Sequence, residues 1–340
     1  MSNSSQLGVL RLGSASPGRV AAWESAPMTD LELLRAELLN AIAQTAAQLR
    51  TEFAQADAVV EAQANAYTDA AVASLEAGGP SWILSSFDGS SSGLRIFVSP
   101  DASNWELLPD LRYPWPVRDP SIIRYQGKWL LAHTGATGLG KVLDSYRGFW
   151  VTSSHDLASW AMPHTIDLKP QIQGVTQVWA PEWFVDPLDD SLHLLFSATT
   201  QGTTGFKLYE KHPTDGPLSP WSEARELVIT GEINSIDPFV VCKDGIYYLW
   251  YKSQSTMFIQ VASSPTLYGP YTNVRVGDWA GWGVHQEAPC VVKLLDRWRV
   301  FGDNYTQLWY SDSFDDWATW TPKQPIATPS SARHGTVIRS

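Results

Sequence analysis

Three tripeptides constrain this chain most: Arg118-Asp119-Pro120, Ile236-Asp237-Pro238 and Glu287-Ala288-Pro289. Each opens an apolar run that reads as a buried β-strand, and each run leads into a similar strand-turn-strand unit. An acid followed by Ala or Pro is a poor strand former, because Pro donates no ladder hydrogen bond and a carboxylate resists burial. Three such starts at matching points of a repeat imply carboxylates gathered around one axis. Four related turns follow alternating aromatic-aliphatic strands: Val98-Ser99-Pro100-Asp101, Thr152-Ser153-Ser154-His155-Asp156, Ala262-Ser263-Ser264-Pro265 and Tyr310-Ser311-Asp312-Ser313. Units of four strands repeating every 40 to 60 residues or so read as propeller blades.

The blade starts are read as Asp119, Ala180, Asp237, Glu287 and His334. The last begins an inner strand, Arg333–Ile338, three strands short of a blade. Those strands are available at the other end of the domain, at Trp82–Ser85, Leu94–Val98 and Trp105–Leu108. A blade built from both ends closes the ring and removes the open sheet edge. The expected fold class is therefore an all-β five-bladed β-propeller over residues 81–340, preceded by a long N-terminal α-helix.

That helix is read over residues 29–77, which contain neither Gly nor Pro, between an Asp30/Glu32 start and a Gly78-Gly79-Pro80 stop at linker 78–80. Ile42, Leu49, Ala56 and Ala70 fall on one heptad row, interrupted by Gln63. Leu31, Leu38, Thr45, Val59, Ala66 and Ala73 fall on the companion row, interrupted by Glu52. The pattern is an imperfect coiled coil, about 70 Å long at 1.5 Å per residue. Its apolar stripe predicts self-association; the alternative is a helix folded back onto its own domain. Residues 1–28 read as a leader or attachment segment.

The net charge of −11 argues against nucleic acid or an anionic membrane surface as partner. No stretch is long enough to insert in a membrane, and residues 1–27 lack the apolar core of a signal peptide. Cys242 and Cys290, the two cysteines, read as free thiols of the core, as expected for folding in a reducing cytosol. Most of the seventeen Trp are expected to fill the core, the remainder being able to stack on sugar rings.

The first strand of a propeller blade lines the central channel, so Asp119, Asp237 and Glu287 are expected in one mouth. Inverting glycoside hydrolysis needs such a set: a carboxylate to activate water and a carboxylic acid to protonate the leaving oxygen, roughly 6.5–9.5 Å apart. A third carboxylate beside the acid raises its pKa by like-charge repulsion.

The segment Arg118-Asp119-Pro120-Ser121-Ile122-Ile123 through Gly127-Lys128-Trp129-Leu130 resembles the first blade of glycoside hydrolase family 43, the arabinanase and xylosidase family. Val178-Trp179-Ala180-Pro181-Glu182, Ser235-Ile236-Asp237-Pro238, Glu287-Ala288-Pro289 and Arg333-His334-Gly335 resemble the other four in order. By this resemblance Asp119 is the general base, Glu287 the general acid, and Asp237 the residue that tunes the acid and holds the sugar. Trp115 and Trp179 are implied sugar platforms, with Arg118, His285 and Arg333 as further substrate-binding residues. No cofactor is required; members often hold a channel calcium ion largely through water, which places a structural Ca²⁺ beside His334. Ala288 stands where the family commonly has Gly, which bears on substrate identity.

Blander readings stand beside these. Asp119 and Asp237 also suit turns capping inner strands, His334 a satisfied core histidine, Trp115 a hydrophobic floor, and Glu182 a structural acid. His133, His155, His164, His193 and His212 show no ligand spacing.

A sugar-cleaving propeller behind a self-associating helix resembles bacteriophage tail fibres and tailspikes. It implies a homotrimer through residues 29–77, contacts with other virion tail proteins through 1–28, and a place on the virion tail after assembly in the host cytoplasm. The expected function is depolymerisation of a bacterial surface polysaccharide. The alternatives are a non-catalytic glycan-binding receptor module and a scaffold propeller binding protein on its rim.

Overall fold

The computed structural model describes residues 82–109, 111–134, 148–203, 205–216, 218–328 and 331–340, together with Ala41, Gln44, Thr45 and Gln48. These divide between two units, 1–64 and 65–340. In the first, the four described residues are helical, with the Thr45 hydroxyl donating to the Ala41 carbonyl at 2.9 Å. The rest of the expected 29–77 helix, its coiled-coil pairing and the 1–28 segment lie outside the described residues.

The second unit is an all-β five-bladed propeller. Its first blade comprises β4 (Arg118–Tyr125), β5 (Lys128–Thr134), β6 (Gly148–Ser154) and β7 (His164–Asp167). The second comprises β8 (Val175–Val185), β9 (Leu192–Thr200), β10 (Lys207–Lys211) and β11 (Arg225–Glu226). The third runs β12 (Ser235–Lys243), β13 (Ile246–Ser253), β14 (Ile259–Ser264), β15 (Thr272–Arg275); the fourth runs β16 (Glu287–Lys293), β17 (Trp298–Asp303), β18 (Leu308–Ser313), β19 (Gln324–Pro325). All four are antiparallel meanders.

The fifth blade joins both ends of the domain: β1 (Trp82–Asp88), β2 (Leu94–Ser99) and β3 (Glu106–Leu107) pair with an inner strand split into β20 (Ala332–Arg333) and β21 (Val337–Arg339). Phe87 pairs with Arg333 and Leu84 with Val337, so the expected single strand is broken at His334–Thr336. Gly335 permits the break: a Cβ there would stand 1.8 Å from the Ser85 carbonyl oxygen.

Because each sheet is covered on both sides, strands such as Lys128–Thr134 are buried almost throughout. Trp129 and Leu131 enter the core between the closing and first blades, whereas Leu130 and Ala132 enter that between the first and second. Five such cores lie between successive sheets, which makes the ring continuous. Seven Trp crowd the one between blades three and four, so indoles here serve mainly packing.

The closing seam has polar bonds as well. Arg299 donates to both Asp312 oxygens (2.6 and 2.8 Å), and reaches the Ala102 carbonyl and Ser103 hydroxyl of the closing blade, each at 2.7 Å. Both cysteines are free thiols; Cys290 is buried, donates to the Val337 carbonyl at 3.4 Å, and accepts from its N–H at 3.2 Å, whereas Cys242 is only half-buried.

Candidate active site

In the four complete blades the inner strand takes one extra residue at the tripeptide. Arg118 pairs with Thr134 but Ser121 with Ala132; the same slip follows Trp179–Ser197, Ile236–Lys252 and Glu287–Asp303. The bulged residues are Asp119, Ala180, Asp237 and Ala288, with φ of 49°, 48°, 56° and 55°; His334 of the closing blade has φ 29°. Such angles cost a non-glycine residue on the order of 1 kcal/mol or more, and persist only where the surroundings over-determine them. Proline follows each of the first four, where a broken ladder has no use for its missing N–H.

This register corrects one expected blade start. The residue equivalent to Asp119 and Asp237 is Ala288; Glu287 stands one position earlier, with Arg118, Trp179, Ile236 and Arg333. Strand alternation then gives Glu287 a different approach to the channel mouth from the two aspartates.

The second strands hold the bulges. The residue opposite the tripeptide reaches the bulge N–H of the next blade: Thr134 Oγ1 accepts from Ala180 (2.9 Å), Ser197 Oγ from Asp237 (3.0 Å), and Asp303 Oδ2 from His334 (2.7 Å). In the third blade the equivalent residue is Lys252, which cannot accept. The Ala288 N–H bonds instead to Asp237 Oδ2 at 3.0 Å. Lys252 Nζ is thereby left to Glu287 Oε2 (3.2 Å) and to the Tyr305 hydroxyl.

Asp119, Asp237 and Glu287 line a single cavity of about 620 Å³ at the channel mouth, together with Arg118, Thr134, Trp179, Ile236, Lys252, Gln254, Tyr305, Arg333 and His334. Asp119 accepts from the Thr134 hydroxyl at 2.8 Å through Oδ2, and its Oδ1 stands 3.5 Å from His334 Nδ1. Arg333 bridges Asp303 Oδ2 (2.6 Å) and Glu287 Oε1 (3.2 Å). The three carboxylates therefore face one volume large enough for a sugar ring.

Burial raises the Glu287 carboxyl above the ordinary glutamate range, and the Asp237 carboxylate adds to it, while His334 and Lys252 oppose. Asp237 is raised by burial too, against His334 and Lys252. Burial alone would lower His334, but Asp119, Asp237, Glu287 and Asp303 reverse the sign and hold it above its ordinary value. Lys252 is likewise pushed down by burial and up, on balance, by Tyr305, Glu287 and Asp237. The site thus contains an acid biased toward its protonated form beside a half-buried aspartate bonded to a hydroxyl.

Of the residues expected here from sequence, Arg118, Asp119, Trp179, Asp237, Glu287, Arg333 and His334 line the cavity. Trp179 packs on Phe206 at 4.3 Å between ring centroids. Trp115 does not line it. It packs 5.3 Å from Tyr113 against the core between the closing and first blades, the hydrophobic-floor alternative. His285 is exposed and outside the lining, its ring 6.2 Å from that of Tyr305. Thr134, Lys252, Gln254 and Tyr305 were missed. The available signal was register: Thr134 and Lys252 end second strands opposite the tripeptides, and a lysine in the apolar run Ile246–Ser253 needs a reason.

The space below the mouth is too small for a calcium ion held through water. The space bounded by Glu182, Asp237 and His334 is about 10 Å³, room for one water, whereas Ca²⁺ takes six to eight oxygens. Glu182 accepts from Thr336 Oγ1 at 2.6 Å, and burial lifts its pKa to about 8 against the hydrogen bonds from Thr336 and Ser121. A carboxyl raised that far holds its proton near neutral pH and is a poor calcium ligand, and His334 offers an imidazole where a hard cation prefers oxygen.

A family model of the family-43-related kind, described as "Probable glycosyl hydrolase domain", matches residues 115–339. No curated protein matches the sequence. Among solved structures, a thermostable family-43 glycoside hydrolase is similar at 18% identity and TM-score 0.48, covering 65% of this chain and 78% of that one. An α-L-arabinofuranosidase from Lactobacillus brevis is similar at 17% and 0.48, covering 62% and 73%. An exo-β-1,3-galactanase from Clostridium thermocellum is similar at 14% and 0.49, covering 63% and 49%.

Proposed function

The chain belongs to the family-43-related glycosyl hydrolase domain family, and on that premise we propose that its cavity hydrolyses a glycosidic bond with inversion. The observation that carries this reading is the convergence of Asp119, Asp237 and Glu287 on one cavity. Asp119 takes a proton from water as the water oxygen attacks the anomeric carbon. The bond from that carbon to the leaving oxygen breaks, and the leaving oxygen receives its proton from Glu287. Asp237, by its charge, supports the protonated state of Glu287 before the step. Water is added across the bond, and solvent exchange restores both carboxyls. Trp179 offers a stacking face, and Arg118 and Arg333 donate hydrogen bonds to the sugar.

The test is incubation with purified bacterial surface polysaccharides, read by new reducing ends and by the anomeric configuration of the first product. Glu287→Gln and Asp119→Asn are expected to lose about 10²–10⁴-fold in rate while still binding glycan. Cleavage by both variants at the parent rate would overturn the assignment. A second reading, a glycan-binding receptor module without cleavage, is favoured by one feature. Lys252 and Arg333 contact Glu287 at 3.2 Å each, which supports its ionised form. Binding without reducing ends in the parent chain would select it.

In the wider reading, residues 29–77 trimerise and carry the propellers on a virion tail, with 1–28 joining other tail proteins. Three weak sites then act together on a polysaccharide surface. The heptad pattern supports this part of the proposal. Light scattering that finds a monomer at micromolar concentration refutes it.

A further inference from the structure

We propose that His193, Glu210 and His212 form a binding site for a divalent transition-metal ion of the zinc class, separate from the cavity and independent of the glycosidase reading. One ligand atom from each residue lies within 4.8 Å of the others. His193 and His212 are too far apart in sequence to show ligand spacing, but the β9–β10 pairing joins them. Leu195 pairs with Glu210 and Leu194 with Lys211, so residues 193, 210 and 212 share one face of the hairpin. The site is remote from the cavity. On β9 the partner of the cavity-lining Trp179 is Ser197, whereas His193 pairs with Phe184 four residues further along, about 13 Å away at strand rise.

Both imidazoles converge on one oxygen: His193 Nδ1 and His212 Nδ1 stand 2.6 and 2.9 Å from Glu210 Oε1. The other side of His193 assigns its protons. The Ser191 hydroxyl lies 2.5 Å from Asp189 Oδ1 and must donate to it, since a carboxylate only accepts. Toward His193 Nε2, at 2.7 Å, Ser191 therefore acts as acceptor, and Nε2 carries the hydrogen. In the neutral ring Nδ1 is then a bare lone pair aimed at a carboxylate oxygen. Two acceptors in contact require a proton or a metal cation between them. The Glu210 side chain is 1% exposed, and its only cationic neighbours among the described ion pairs are these two imidazoles. Lys211 turns away to Gln171 and Ser222.

The arrangement has the parts of a zinc site: two imidazole nitrogens, a carboxylate oxygen, and an outer hydrogen bond fixing one imidazole's orientation. Zn–N and Zn–O bonds near 2.0–2.2 Å at tetrahedral angles separate ligand atoms by about 3.3 Å. The three groups must therefore open by about half an ångström. His212 can supply that movement, its side chain being 37% exposed, and its open side leaves a coordination position for water.

The experiment uses the untagged full chain, stripped with chelator and titrated calorimetrically with ZnCl₂. One Zn²⁺ per chain with micromolar or tighter affinity is expected. A rise in Tm of about 5–10 °C should appear at a hundredfold excess over Kd. His212→Ala, at a partly exposed position, should weaken binding at least tenfold while unfolding cooperatively in chelator. His193→Gln should do the same, and Co²⁺ in the parent chain should give the visible absorption of a four-coordinate N/O site. Absence of stoichiometric binding overturns the proposal, because a proton on His193 then suffices. Equal Zn²⁺ affinity in His212→Ala, or a weak octahedral Co²⁺ spectrum, also overturns it.

Discussion

Replacing Lys252 by Met should move the basic limb of the pH–rate profile upward. Lys252 Nζ stands 3.2 Å from Glu287 Oε2, with side-chain exposures of only 2% and 13%. Two unit charges at that separation attract by about 1 kcal/mol in bulk water and about 5 kcal/mol at an effective dielectric of 20. Since 1.36 kcal/mol is one pH unit, even the water limit displaces the limb by about one unit. The sign follows from the role proposed for Glu287 as general acid. Burial and Asp237 already raise the Glu287 carboxyl, and Lys252 opposes them. Without the ammonium the acid keeps its proton to higher pH, so activity persists there. Asp237→Asn removes a charge that raises the same group and should move the limb the other way; an amide oxygen can still accept from the Ala288 N–H. The assay is kcat/KM against pH by reducing-end release, with Tm confirming that both variants fold. A limb that stays in place in Lys252→Met, or falls, would refute Glu287 as the group titrating there.

Two further outcomes follow from the geometry. Arg118 lines the cavity with its guanidinium 4.8 Å from the Phe87 ring and no carboxylate partner among the described ion pairs. Arg118→Ala should therefore raise KM by about tenfold or more, the worth of a charged hydrogen bond, with kcat within about twofold. Equal losses in kcat and kcat/KM would give it a transition-state role instead. Gly335→Ala drives a Cβ to 1.8 Å from the Ser85 carbonyl at the closing seam. Overpacking of that kind costs about 1–3 kcal/mol, at the upper end against backbone, so Tm by scanning calorimetry should fall by about 6–12 °C; a change within about 1 °C would mean the seam yields.

What was legible in the linear chain follows from local rules. The repeat of acid-Pro starts, the serine-rich turns and the truncated last unit imply five blades closed by both ends. The same repeat places Asp119, Asp237, Glu287, Trp179, Arg333 and His334 at strand starts, and the structure brings all six into one cavity. What the chain could not reveal depends on a bulge. One extra residue resets strand parity, which shifts the equivalent of Asp119 in the fourth blade from Glu287 to Ala288. Counting residues therefore misjudges which side chain turns toward the channel.

Cross-strand partners were hidden for a related reason. Lys252 faces Glu287 because Ile236 pairs with it across β12 and β13, and because Ser197 and Asp303 hold neighbouring bulges while Lys252, lacking an acceptor, cannot. The cluster of His193, Glu210 and His212 likewise exists only once two strands are in register. Periodicity and turn chemistry are written residue by residue and survive in one dimension. Charge meeting charge across a sheet is settled by pairing register and ring closure, which only the folded chain contains.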